Sequence, residues 1–154
     1  TLIDPSLKGM GTTVSMVTLA RHMAFWGHVG DSRIYLYRDG EFKQISVDHT
    51  IVQVLLEKGK ITEEEAMDHP QRHVLTRAVG VDENLVVDSG AFEVQPKDRI
   101  LICSDGLTSF IQKQELYDAI GDYRRTEREI INDLFARVYE NGAKDNITAI
   151  LTTI

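Results

Sequence analysis

Asp39-Gly40 stands between two short runs of strand-forming residues, Arg33–Arg38 and 41–46. A two-residue hairpin loop that matches the right-handed twist of its strands needs positive φ at both positions, which Asp-Gly supplies at low cost. The pair therefore predicts an antiparallel hairpin in fixed register. Val14, Met16 and Val29 sit in further short alternating runs over 12–46, which extends the hairpin to an antiparallel meander.

Helical patterns follow. Ile51, Val54 and Leu55 are at helical spacing within 50–58, with Gly59 as the stop. Thr62 and Glu65 form a capping box for a short acidic helix that ends before His69-Pro70. Strands are predicted over 85–94 and 98–104, and a helix over 113–120 closed by Gly121. A second capping box, Thr126 with Glu129, opens a helix to Asn141 that buries Ile130, Leu134 and Val138, before a last strand over 146–154. Runs of strands followed by helices indicate an α+β fold, not a doubly wound parallel one, and two stacked antiparallel sheets flanked by helices would bury these patterns. There is no internal repeat, low-complexity tract or linker, so 1–154 is expected to form a single domain.

With 42% hydrophobic and 27% charged residues the chain can bury a core. Its 17 basic against 24 acidic residues give a formal charge of −7, a field that repels nucleic acid and anionic membranes. A phosphate-bearing ligand would need local capture, and a divalent cation in an acidic pocket provides it by inverting the field. A single cysteine, Cys103, excludes an internal disulfide and fits a reducing compartment, so a cytoplasmic location is expected. No apolar run approaches the roughly 20 residues of a membrane span. The chain opens on Thr1 and keeps a strand pattern to Ile154, which suggests a piece of something longer.

Three aspartates follow or precede apolar strands at sharp turns: Asp31 in Val-Gly-Asp-Ser-Arg, Asp105 in Cys-Ser-Asp-Gly-Leu and Asp145 in Lys-Asp-Asn-Ile-Thr. Carboxylates on strand ends suit hard ions such as Mg²⁺ and Mn²⁺. Taken singly, Asp31 reads as a turn corner, Asp105 as a cap for a helix over 107–111, and Asp145-Asn146 as a turn before the final strand. The joint pattern says more. Gly9-Met10-Gly11-Thr12-Thr13, Val29-Gly30-Asp31-Ser32-Arg33, Leu75-Thr76-Arg77-Ala78-Val79-Gly80, Cys103-Ser104-Asp105-Gly106-Leu107 and Asp145-Asn146-Ile147-Thr148 occur in the order and approximate spacing of the protein phosphatase 2C family. The chain resembles the bacterial branch of that family over nearly its whole length, and His69-Pro70-Gln71-Arg72 resembles that branch's flap, within a flap region of about 48–80.

The resemblance implies two stacked antiparallel sheets flanked by helices, an αββα sandwich. It implies a Mg²⁺ or Mn²⁺ centre of two to three ions in the complete domain, and metal-dependent hydrolysis of phosphoserine and phosphothreonine in proteins. In the family a metal-bridging water attacks the phosphorus in line and no phosphoenzyme forms. By position, Asp105 and Asp145 match ligands of one metal of the pair, while Asp31 with Asp105 matches a third, weaker site. Phosphorylated proteins are the implied substrates and a serine/threonine kinase the implied opponent. The family's opening arginine motif and Asp-Gly motif have no match here, since Lys8 stands where an aspartate would precede Gly9-Met10-Gly11. The chain is thus expected to lack its N-terminal segment and to be impaired by itself. The alternative is a non-catalytic pseudophosphatase or regulatory binding domain of the same fold.

Arg72 and Arg77 are candidates to face a substrate phosphate. His22, His28, His49, His69 and His73 lack ligand-like spacing and read as solvated or core residues. Cys103 and Trp26 read as core.

Overall fold

The computed structural model describes residues 5–81, 83–143 and 145–154. A 3-10 turn, Pro5–Leu7, precedes strands β1 (Val14–Ala20), β2 (Met23–Val29), β3 (Arg33–Arg38) and β4 (Glu41–Gln44). Helices α1 (Ile51–Glu57) and α2 (Glu63–Met67) come next, then β5 (Asp88–Glu93) and β6 (Arg99–Cys103). Helices α3 (Asp105–Thr108), α4 (Lys113–Gly121) and α5 (Glu127–Glu140) lead to β7 (Ala149–Thr153). The strands form two antiparallel sheets, one ordered β1-β2-β5 and the other β4-β3-β6-β7.

The β3–β4 hairpin is the one expected from Asp39-Gly40, with φ of +49° and +81° at the two turn residues and Arg38 paired with Glu41. Alternation along β3 then assigns the layers. Ile34 and Leu36 point to the three-stranded sheet, joining Ala24 and Ile100 in a buried cluster edged by Trp26, Phe92 and Ile102. Tyr35 and Tyr37 point the other way and meet Leu101, Leu116, Ile120, Ile130 and Leu134 beneath α4 and α5. A strand buried on both faces is a continuous apolar run rather than an alternating one, which is why Ile-Tyr-Leu-Tyr reads as it does.

Helix α5 is held by the Thr126/Glu129 capping box, and its stripe Ile130, Leu134, Val138 is fully buried at i, i+4 spacing. Each such side chain contributes about 1.5–3 kcal/mol. The outer face of the three-stranded sheet shows Val14, Met16 and Phe25 to solvent.

Some boundaries differ from the sequence expectation. The strand predicted over 85–94 begins at Asp88, because its partner β2 pairs only over Met23–His28 and ends one residue later. The last strand begins at Ala149, not at residue 146, since β6 offers partners only from Arg99 to Cys103. Gly121 lies inside the last turn of α4 and Asp122 caps it. A Cβ on Gly121 would lie 2.7 Å from the Tyr37 hydroxyl, so the glycine serves close packing and not helix termination. Likewise Ser104, not Asp105, is the N-cap of α3, with Asp105 in its first turn.

Candidate metal centre at one end of the sheets

Antiparallel register brings the aspartates to a common end. Arg33 pairs with Cys103, and Cys103 with Ala149. Asp31, just before β3, and Asp105, just after β6, therefore leave the same edge of the four-stranded sheet, as does the 145–148 approach to β7.

The Asp31 turn is built on Gly30, whose φ is +110°. A Cβ there would lie 2.3 Å from Thr13 Cγ2, so backbone freedom and close approach both require glycine. Ser32 shares a 2.9 Å hydroxyl contact with Thr13. Arg33 holds the start of β3 through a two-pronged pair with Asp48, whose closest contact is 2.7 Å. Asp31 itself is half-buried, and its carboxyl is raised above the ordinary value, first by burial and then by the charges of Asp105 and Asp48. Desolvated like charges resist joint ionisation.

Asp105 Oδ2 lies 3.5 Å from His73 Nδ1. Ser104 stitches this strand end to the last loop: its N–H donates to Thr148 O at 2.9 Å and its Oγ accepts from Thr148 N at 3.0 Å. Asp145 is exposed, and its Oδ1 accepts from the following N–H of Asn146 at 2.7 Å. Among the described residues no group of three or more His, Cys, Asp and Glu is gathered closely enough to hold a metal. Asp31 and Asp105 are nonetheless hard oxygen donors whose mutual repulsion a divalent cation would relieve, so the pair fits part of an Mg²⁺ or Mn²⁺ ligand set.

The two candidate arginines differ. Arg72 is exposed in the turn after Pro70. Arg77 is already engaged, its Nη1 donating to Asp88 Oδ1 at 2.6 Å. Asp88 is held below the ordinary carboxylate range, first by its hydrogen bond from His49. His28 and His49 are buried and their rings lie 4.9 Å apart, while His22 is exposed and His69 half-buried. Burial and His49 push His28 down; its Nε2 lies 3.1 Å from Val47 O and its Nδ1 2.8 Å from the Ser15 hydroxyl, which itself donates to Ser32 O at 2.9 Å. Cys103 is buried and its thiol is pushed up to about 12, chiefly by that burial, which makes it inert. Trp26 is half-buried against the inter-sheet cluster.

The network of His49, Asp88 and Asp48 around the Asp31 turn was not singled out from sequence. Positions 49 and 88 lie far apart in the chain, and no spacing rule links them.

The family model for protein phosphatase 2C matches residues 4–152. The chain is 37% identical over 148 residues to the serine/threonine phosphatase stp of Listeria welshimeri, covering 96% of the chain and 58% of that protein. The crystal structure of the Mycobacterium tuberculosis serine/threonine phosphatase PstP/Ppp superimposes with a TM-score of 0.92 at 35% identity, covering 99% of the chain and 64% of that one. The catalytic domain of the serine/threonine protein phosphatase PstP, solved in complex with two manganese ions, superimposes with a TM-score of 0.85 at 34% identity, covering 97% and 61%. The chain thus spans under two thirds of the length of each of these relatives.

Proposed function

The chain belongs to the protein phosphatase 2C family, and from that premise we propose that the protein carrying it hydrolyses phosphoserine and phosphothreonine in proteins with Mn²⁺ or Mg²⁺ as cofactor. The observation that supports this is that Asp31 and Asp105 leave the same end of the sheets, where the Asp105 charge raises the Asp31 carboxyl. A divalent cation at such carboxylates supplies a water of lowered pKa and neutralises charge developing on the phosphoryl oxygens.

The protein's own part is to hold oxygen donors on rigid strand ends. Asp31 and Asp105 supply them, with Asp145 assigned as a further ligand on the loop that Ser104 ties to the end of β6. Arg72 and Arg77 are assigned to the substrate side. Arg72, being exposed, is free to meet a phosphate, whereas Arg77 would act while paired to Asp88. Residues 1–154 are taken as one domain whose flap occupies about 48–80: α1 and α2 project between two returns to the body, at Ile51 N–H to Val74 O and Thr76 N–H to His49 O.

No helix among the described residues is long and apolar enough to cross a membrane. The lone buried thiol supports a cytoplasmic enzyme, acting on phosphoproteins made by a serine/threonine kinase. The test is hydrolysis of a phosphothreonine peptide by the intact protein with Mn²⁺. Activity should vanish in Asp105→Ala, and an Asp105→Ala protein as active as the parent would overturn the assignment.

A further inference from the structure

Gly30 is clasped at both its carbonyl and its N–H by one residue. The His49 N–H donates to Gly30 O at 2.7 Å, and Gly30 N–H donates back to His49 Nδ1 at 3.1 Å. Because Nδ1 accepts, the neutral ring carries its proton on Nε2, which donates to Asp88 Oδ2 at 3.0 Å. Asp88 Oδ1 accepts from Arg77 at 2.6 Å, and the adjacent Thr76 N–H donates to His49 O at 2.8 Å. The ring of contacts closes on itself: Gly30, His49, Asp88, Arg77 and the 76–77 backbone. His49 is only 3% exposed, so water cannot substitute for these bonds.

Resting on the metal reading above, we infer that His49 is a positioning residue: oriented by Asp88, it fixes the Gly30-Asp31 turn so that the Asp31 carboxylate faces Asp105, and it fixes the base of the 48–80 segment in the same register. Asp31 follows the clasped glycine directly, so any rotation of the Gly30 peptide swings its side chain. A residue that orients a ligand in this way commonly matters about 10–100-fold to metal affinity when removed.

The two ring nitrogens can be tested separately in the intact protein. Asn places an acceptor where Nδ1 stands, and Gln places a donor where Nε2 stands. His49→Asn should keep the Gly30 amide slow to exchange with deuterium and leave the Mn²⁺ dissociation constant within about 3-fold of the parent. His49→Gln should expose that amide and weaken Mn²⁺ about 10-fold or more. Equal behaviour of the two variants, or a His49→Gln protein that matches the parent in both measurements, overturns the inference. Should His49→Gln fail to fold, His49→Ala removes the acceptor at Nδ1 as well and is expected to do the same to both readouts; no change in either counts against the clasp. Asp105→Ala is titrated with Mn²⁺ alongside. Unchanged binding there would refute the metal reading, while Gly30 exchange would still decide whether His49 holds the turn.

Discussion

Gly106 follows Asp105 in the first turn of the short α3 helix with ordinary negative φ, so its glycine is not required by backbone conformation. Its role is spatial. A Cβ at this position would lie 2.3 Å from the carbonyl oxygen of Asn146 and 3.1 Å from its carbonyl carbon, against the 3.4 Å at which ordinary contact begins, a shortfall of about 1.1 Å. The obstacle is backbone, so no rotamer change relieves it, and Gly106→Ala must push the 145–147 loop away from the end of β6. Ser104 ties those same two segments by hydrogen bonds of 2.9 and 3.0 Å, so the displacement strains them as well. Overpacking of this kind costs about 1–3 kcal/mol, and with the strained bonds the upper half of that range is expected. For a chain of this size that lowers Tm by roughly 4–12 °C. Gly142→Ala is the matched control: its φ is +79° but nothing lies within 4 Å of an added Cβ. It should cost only the backbone term, about 1 kcal/mol. Thermal unfolding followed by circular dichroism without metal measures both. A Gly106→Ala protein that loses no more than Gly142→Ala would refute the close-approach argument. The loop carries Asp145, so the same variant should also weaken Mn²⁺ binding, whereas Gly142→Ala should not.

Asp31→Asn should stabilise the metal-free protein at neutral pH, because it removes a desolvated carboxylate repelled by Asp105 and Asp48. The sign follows from the raised folded pKa: the folded state holds that proton more tightly, so Asp31's contribution is favourable below about pH 3.8 and is lost as pH rises through the folded value. The Tm advantage of Asp31→Asn measured in a chelator should therefore shrink as pH is lowered toward 4, and an advantage independent of pH would contradict this. Arg38→Ala should destabilise by about 3–5 kcal/mol, since it strands a carboxylate, Asp98, that is 1% exposed and accepts 2.6 and 2.8 Å bonds from that arginine. Urea unfolding measures it, and a loss under 1 kcal/mol would show that the pair is not what holds the end of β3 to the approach to β6.

The parts of this molecule legible in its sequence are those governed by a few adjacent residues. Asp39-Gly40 requires positive φ at both positions wherever it lies between strands, and it has them. The Thr62/Glu65 and Thr126/Glu129 boxes form as written because each is closed within one helical turn. The five ordered motifs likewise identify the family, and with it the two-sheet fold, because each is a contiguous string. Strand limits were less legible: β5 and β7 start where β2 and β6 offer partners, and a partner's length is not encoded in the strand's own residues.

What only the tertiary structure decided is which side chain each charged group meets. Arg77 and Asp88 are ordinary charged residues in isolation, and His49 one unremarkable histidine of five. Their ring exists because β5 lies against β2 in one register and the 48–80 segment returns to the same sheet end. Local backbone preferences are short-ranged, but contacts across 39 residues form only after both sheets have paired, so their chemistry is a property of the assembled fold.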